Sequence, residues 1–267
     1  MTPADDHAPA HRSRWRRFSP SMGWKAFWSE ILIVVLGVVI ALAANEAVED
    51  WSWKGRVRDG ETRLRGDTER VFVWGAEYYA TQPCFEAQLD RLAQRVMESG
   101  TTLTPAPVYS DSSAPIPAKP RFVVRMATRP WRFPVWDALV ANGTATHFSR
   151  QRQDIYSSLD HSIAAARGYR DESNRLYGRL MALSYPVELN AAARREYLVD
   201  IETLRRLNFS TLISAQQQLS VMLREGMAPA PESVDALLKD SGTVKFCKEH
   251  GLPLADWRDV KPAPPAR

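Results

Sequence analysis

Residues 31–44 carry no polar side chain: Ile-Leu-Ile-Val-Val-Leu-Gly-Val-Val-Ile-Ala-Leu-Ala-Ala, bracketed by Glu30 and Asn45. Elsewhere apolar residues return only at helical intervals. Val57, Leu64, Val71 and Tyr78 recur every seven residues with Trp74 between them, while Gly60 and Asp67 weaken the alternate positions. This predicts a polar helix with a thin apolar seam over 46–80, not a strong coiled coil. Pro83 is expected to break or restart it. Phe85, Leu89, Leu92 and Val96 then share one face, and Ser99-Gly100 stop the helix. Helices are predicted again over 135–141, over 148–184 (Ile155, Leu159, Ile163, Leu176, Leu180), over 190–224 (Ile201, Leu204, Leu212, Leu219) and over 233–239. Residues 101–134 hold seven of the 18 prolines and read as a long extended connection, with a short strand at 122–126. The expected fold is mainly α: an N-terminal transmembrane helix followed by an antiparallel helical bundle with a long Pro-rich connection. Its parts are a flexible basic cytoplasmic tail (1–23), the transmembrane helix (24–48), a helical extracytoplasmic domain (49–260, with the Pro-rich strap at 101–134) and a Pro-rich tail (261–267).

As a helix, the uncharged run is about 21 Å long, short of the roughly 30 Å hydrocarbon core. Trp24, Phe27 and Trp28 extend it on one side and Ala47, Val48 and Trp51 on the other, rings suited to the two interfaces. Its Leu, Ile and Val residues contribute on the order of −3 to −6 kcal/mol to insertion, more than an acid at the boundary costs. The run has no polar face, which argues against a buried core helix. A cleaved signal peptide stays open, because Ala41-Leu42-Ala43 is a small-x-small site. Against it stand the long preceding stretch and Glu30. Lys and Arg counts flanking the run tie, but the N-terminal ones sit on a short tail, where the positive-inside rule has force. The expected location is therefore the bacterial inner membrane, single-pass, with the N-terminus cytoplasmic and residues 52–267 periplasmic.

Over 267 residues the chain is 45% hydrophobic and 25% charged, which excludes wholesale disorder; a single long apolar run excludes a multi-pass transporter. The net charge is +4. The arginines lie among matching acids, as in Glu61-Thr-Arg63 and Arg170-Asp-Glu172, the pattern of a solvated surface and not of a nucleic-acid site. No nucleic-acid partner is expected.

Ser29-Glu30, Gly37, Ala41, Asn45 and Trp51 resemble the N-terminal segment of a family of uncharacterised bacterial single-pass membrane proteins, with a Glu entering the span, a mid-span Gly, an Asn leaving it and a Trp beyond. Trp136-Asp-Ala-Leu139 and Gly143 ahead of a Tyr156-bearing helix are a second, weaker likeness. The two cover about a quarter of the chain. The resemblance implies a single-pass anchor and no catalytic activity. The Pro-rich insert, and Glu46 and Glu49 after Asn45, depart from the pattern.

The chain has no phosphate-cradling Gly-rich loop, no G-x-S-x-G elbow and no H-E-x-x-H. His7 and His11 lie four apart in the tail, and no metal or cofactor is expected. Thr144, His147 and Ser149 assemble with Asp137 into a nucleophile set on paper only; the plainer reading makes Thr144 or Ser149 a helix cap. Arg129, Trp131, Arg132 and Trp136, with His147, form the densest ligand-binding candidate. Its alternative is that both tryptophans anchor the strap to the core. Cys84 and Cys247 are a disulfide candidate if the domain is exported, and two buried thiols if it is not. Glu30, Gly37, Ala41 and Asn45 are candidates for packing of two transmembrane helices into a homo-oligomer; alternatively Glu30 reaches interfacial water.

The leading expectation is a non-catalytic, membrane-anchored binding, scaffold or envelope-sensor protein. Its partners are membrane lipid and a further protein. The alternative is an extracytoplasmic enzyme or small-ligand-binding domain using the Arg129–Trp136 cluster and His147. A third reading is a signalling input through residues 57–78.

Overall fold

The computed structural model describes residues 23–110 and 121–264, so the expected tail at 1–23 lies outside the described residues except for Gly23, and the tail at 261–267 does so from residue 265 on. The chain divides into two units, residues 1–52 and 53–267. Helix α1 (Trp24–Glu98) belongs to both. The other helices are α2 (Pro134–Ala141), α3 (Arg150–Leu180), α4 (Ala191–Arg224), α5 (Pro231–Asp240) and α6 (Gly242–Glu249). Four two-residue strands make two antiparallel staples. β1 (Thr102–Leu103) pairs with β4 (Val187–Glu188), and β2 (Tyr109–Ser110) pairs with β3 (Arg121–Phe122).

In the first unit α1 is exposed at every residue of the 31–44 run. Trp24, Phe27 and Trp28 form an aromatic cluster at its start, with ring centroids 5.9–6.2 Å apart. Among the described residues this is the one helix long and apolar enough to cross a membrane.

In the second unit α1 is the axis of the core. Two expectations need correction here. Pro83 lies inside α1 without ending it. The helix is held from outside in that turn: Ala255 N–H donates to the Ala80 carbonyl at 2.9 Å, and the neighbouring Cys84 and Phe85 are buried. Packing on the buried face offsets the hydrogen bond that proline removes. Nor is the seam thin: between 71 and 81 only Val73 and Tyr79 are not fully buried. The weak seam positions are contact points. A Cβ added at Gly60 would lie 3.0 Å from Leu139 Cδ2, so glycine permits the close approach of α2. Asp67, 3% exposed, accepts the Val135 N–H at 3.0 Å. It caps α2 from another element, beside Pro134 at the first helical position.

α3 and α4 form an antiparallel hairpin. Arg179 near the end of α3 reaches Glu196 and Asp200 near the start of α4, at 2.6 and 3.0 Å. Ser149 and Asn190 cap the two helices. The core accordingly has two lobes along α1. One joins Leu64–Tyr78 to α2, the start of α3 and the end of α4. The other joins Phe85–Val96 to the strap, the end of α3 and the start of α4. α6, unpredicted, begins at Ser241, whose hydroxyl accepts the Val244 N–H.

Candidate functional site

The strap is held by side chains on helices. Gln88 of α1 clips both backbone groups of Arg125, accepting its N–H at 2.7 Å and donating to its carbonyl at 2.9 Å, as a neighbouring strand would. Arg167 of α3 donates to the Trp131 carbonyl, and Arg170 to those of Arg129 and Pro130, at 2.7–3.1 Å. These bonds fix a backbone that turns sharply, since Trp131 has φ +46°, unusual for a large side chain. Arg194 of α4 works similarly: its guanidinium donates to the carbonyls of Val96, Met97, Ser99 and Gly100, satisfying the orphan acceptors at the end of α1.

The arginine–tryptophan cluster is thereby resolved. Trp131 is 1% exposed and meets Trp74 and Tyr78 edge-on, with centroids 6.2 Å away. Trp136 packs against Phe148 and Tyr156 at 6.1 and 5.3 Å. Arg129 pairs with buried Glu77. Arg132 is exposed. His147 stacks on Trp53 at 3.9 Å. None of the five lines a cleft found among the described residues, and Trp131 and Trp136 cover apolar surface that α1 and α3 present, as the anchoring alternative expects. Thr144 is buried in its 3₁₀ turn and Ser149 caps α3, so the paper nucleophile set serves local structure.

Glu77 accepts from Arg129 and from the Ser241 hydroxyl, joining α1, the strap and the start of α6. At the next residue, Tyr78 donates to Asn208 Oδ1 at 2.6 Å, Asn208 donates to Glu86 at 3.1 Å, and Arg205 pairs with Glu86 and Asp90. Burial raises the Tyr78 pKa above its ordinary value, a hydrogen bond to Thr211 opposes this, and the nearby Glu86 charge adds to it. These buried polar groups are satisfied by one another, which ties elements together.

Cys84 and Cys247, 163 residues apart, are joined by a disulfide with Cα atoms 6.0 Å apart. Both are fully buried beside Phe246 and Leu252. Glu30, Gly37, Ala41 and Asn45 are exposed on α1. Separations of seven, four and four residues put them within about 80° of arc.

Two clefts remain. A polar one of about 480 Å³ is lined by Glu61, Arg65, Glu69, Arg152, Tyr156 and Glu225. Burial raises the Tyr156 pKa, and the Arg152 cation opposes it. Its three glutamates outnumber its two arginines. A narrower apolar cleft of about 200 Å³ lies between the strap and α3. No family model matches this chain, and neither a curated protein nor a solved structure does. Among the described residues no group of three or more His, Cys, Asp or Glu side chains is placed to hold a metal ion.

What sequence reasoning missed is the arginine clamps. Their partners are backbone carbonyls about 40 to 100 residues away, which no local motif marks. Only the proline density of 101–134, a stretch unable to bond itself, hinted that helices must supply donors.

Proposed function

We propose that this protein is a single-pass membrane protein whose helical domain, residues 53–267, lies on the oxidising side of a bacterial inner membrane and acts without catalysis, as a binding or scaffold subunit. The observation that carries this reading is the bare apolar stretch of α1, with Leu32, Ile33 and Leu42 at least 64% exposed. That much apolar surface is unfavourable in water and suited to lipid. The buried disulfide supports the compartment, since such bonds persist where thiols are not kept reduced. The likeness of residues 29–51 to single-pass anchors points the same way. The side chains most resembling a reactive cluster hold the strap instead, which supports binding over chemistry. The face bearing Gly37 and Ala41 is where two copies pair.

Protease treatment of intact spheroplasts carrying a C-terminally tagged chain, read on reducing and non-reducing gels, tests it. The expected result is digestion from outside of a full-length, membrane-retained chain whose mobility changes on reduction. A protected domain with free thiols would overturn the location, and a processed, released domain would overturn the anchor.

A further inference from the structure

The polar cleft is walled by three elements of the second unit. From α1 come Glu61, Arg65 and Glu69, spaced by four and so on one stripe. From α3 come Arg152 and Tyr156, also one turn apart. The third wall is the turn after α4, where Gly226, Ala228, Pro229 and Ala230 bring no polar side chain. That turn holds itself: Gly226 has φ +65°, and the Met227 N–H donates to the Met222 carbonyl at 2.9 Å. The volume of about 480 Å³ lies within the range of small-ligand sites.

Tyr156 is the fixed point of the cleft. It is 4% exposed, and its ring packs against Trp136, Phe148 and Phe133 with centroids 5.3, 6.0 and 6.3 Å away. Burial raises its pKa; Arg152 opposes this, Glu61 adds to it and Arg65 opposes it again. The phenol therefore keeps its proton near neutral pH, and two cations and one anion act on its hydroxyl. Glu69 stands one turn beyond Arg65 on α1. Glu225 is taken up by Arg224 at 2.8 Å, from outside the cleft. Among the described residues no ion pair joins Glu61, Arg65, Glu69 or Arg152 to a partner, so their charges are available to a ligand. The Tyr156 end of the cleft carries an excess of positive charge and the Glu69 end is negative.

We propose that this cleft binds a short peptide of dipeptide length with both termini free. Its carboxylate lies between Arg65 and Arg152 and accepts from the Tyr156 hydroxyl, and its ammonium lies at Glu69. Neighbours one turn apart on a helix have Cβ atoms about 5–6 Å apart. A dipeptide, extended at about 3.3–3.6 Å per residue, separates its two charges by a similar span, whereas a free amino acid carries both on one carbon. The turn after α4 leaves room for small side chains such as alanine. All the residues belong to the second unit, so the site stands whichever side of a membrane the domain faces.

Isothermal titration of alanyl-alanine into the full chain in phosphatidylcholine nanodiscs tests this, with empty discs as the baseline. Saturable binding is expected, and N-acetyl-alanyl-alanine and alanyl-alanine amide should each bind about tenfold more weakly. Arg152→Gln should lower the affinity for alanyl-alanine about tenfold and abolish the preference for it over its amide. Glu69→Gln should abolish the preference over the acetylated peptide. Both side chains are exposed, so neither variant should move the unfolding midpoint. No saturable heat up to millimolar peptide would overturn the site. An amide that binds as tightly as the free peptide, or an Arg152→Gln variant that binds like the wild type, would overturn the carboxylate assignment. An acetylated peptide of undiminished affinity would overturn the ammonium assignment.

Discussion

Residues 31–44 and residues 71–81 are both uninterrupted stretches of α1, and both are poorly suited to water as bare helices. In the first, every side chain is apolar and exposed. In the second, Glu77 and Thr81 are buried beside Phe72 and Ala76, and the polar groups find partners on the strap, α4 and α6. The helix is the same; what the surroundings must provide is opposite. The first stretch needs an apolar solvent and no specific contact, so it tolerates any order of Leu, Ile and Val. The second needs particular partners at particular distances, so single changes there should be felt.

Substitutions separate the two. The largest effect is expected from replacing Cys84 and Cys247 by Ser, which should cost the second unit about 4–5 kcal/mol by the chain-entropy account of so long a loop. Denaturant midpoints with and without reductant measure it, and membrane retention should not change. Val38→Arg should do the reverse. It costs about 2.5–3.5 kcal/mol of insertion and moves chain into the carbonate-soluble fraction, while the unfolding midpoint of residues 53–267 stays put. A common shift in both assays would show that the two stretches are not independent.

Within the second unit, Asp67→Ala should cost about 1 kcal/mol through the lost cap on α2, with faster hydrogen exchange at residues 135–137. Tyr78 and Tyr177 differ more subtly. Tyr78→Phe strands Asn208 and should cost about 1 kcal/mol near neutral pH, whereas Tyr177→Phe removes a hydroxyl without a partner and should cost nothing. Burial raises both phenols above their ordinary value. The folded state therefore keeps these protons after the unfolded chain has lost them. Stability is intact below about pH 10 and falls as pH rises beyond it; either Phe variant should flatten that fall in a series of melting curves. The smallest change is Gly60→Ala. Crowding against Leu139 opposes a helix-propensity gain of about 1 kcal/mol, so the midpoint should move by less than that amount.

Much of the fold is legible before the structure is seen. The periodic faces of α3 and α4 place both helices to within a few residues, because a long stripe averages over local exceptions. The prolines likewise mark a region that forms no helix among the described residues. Pro83 misleads because the rule for proline is local, while Ala255 and the neighbours of Cys84 act from elsewhere in the chain. α6 escapes notice because eight residues carry too little periodicity, though Ser241 ahead of Val244 is a legible cap. Gly60 and Asp67 look like flaws in a stripe when their partners, Leu139 and Val135, are unknown. At the candidate site, tryptophans flanked by arginines read equally as a binding surface or an anchor. Only the carbonyls of residues 129–131 pointing at Arg167 and Arg170 decide between these.

The disulfide also bears on how the nascent chain matures. Cys84 is made early and Cys247 late, and the chain has no other cysteine. A growing chain therefore holds one thiol with no internal mate until the last turn of α6 emerges, so no wrong intramolecular bridge can form. Over the same interval Phe72 waits for Trp257, whose ring meets it edge-on at 5.6 Å. A ribosome stalled anywhere before residue 247 leaves a thiol and an aromatic face open together, a pair of marks by which an oxidase or a chaperone can tell an unfinished copy from a finished one.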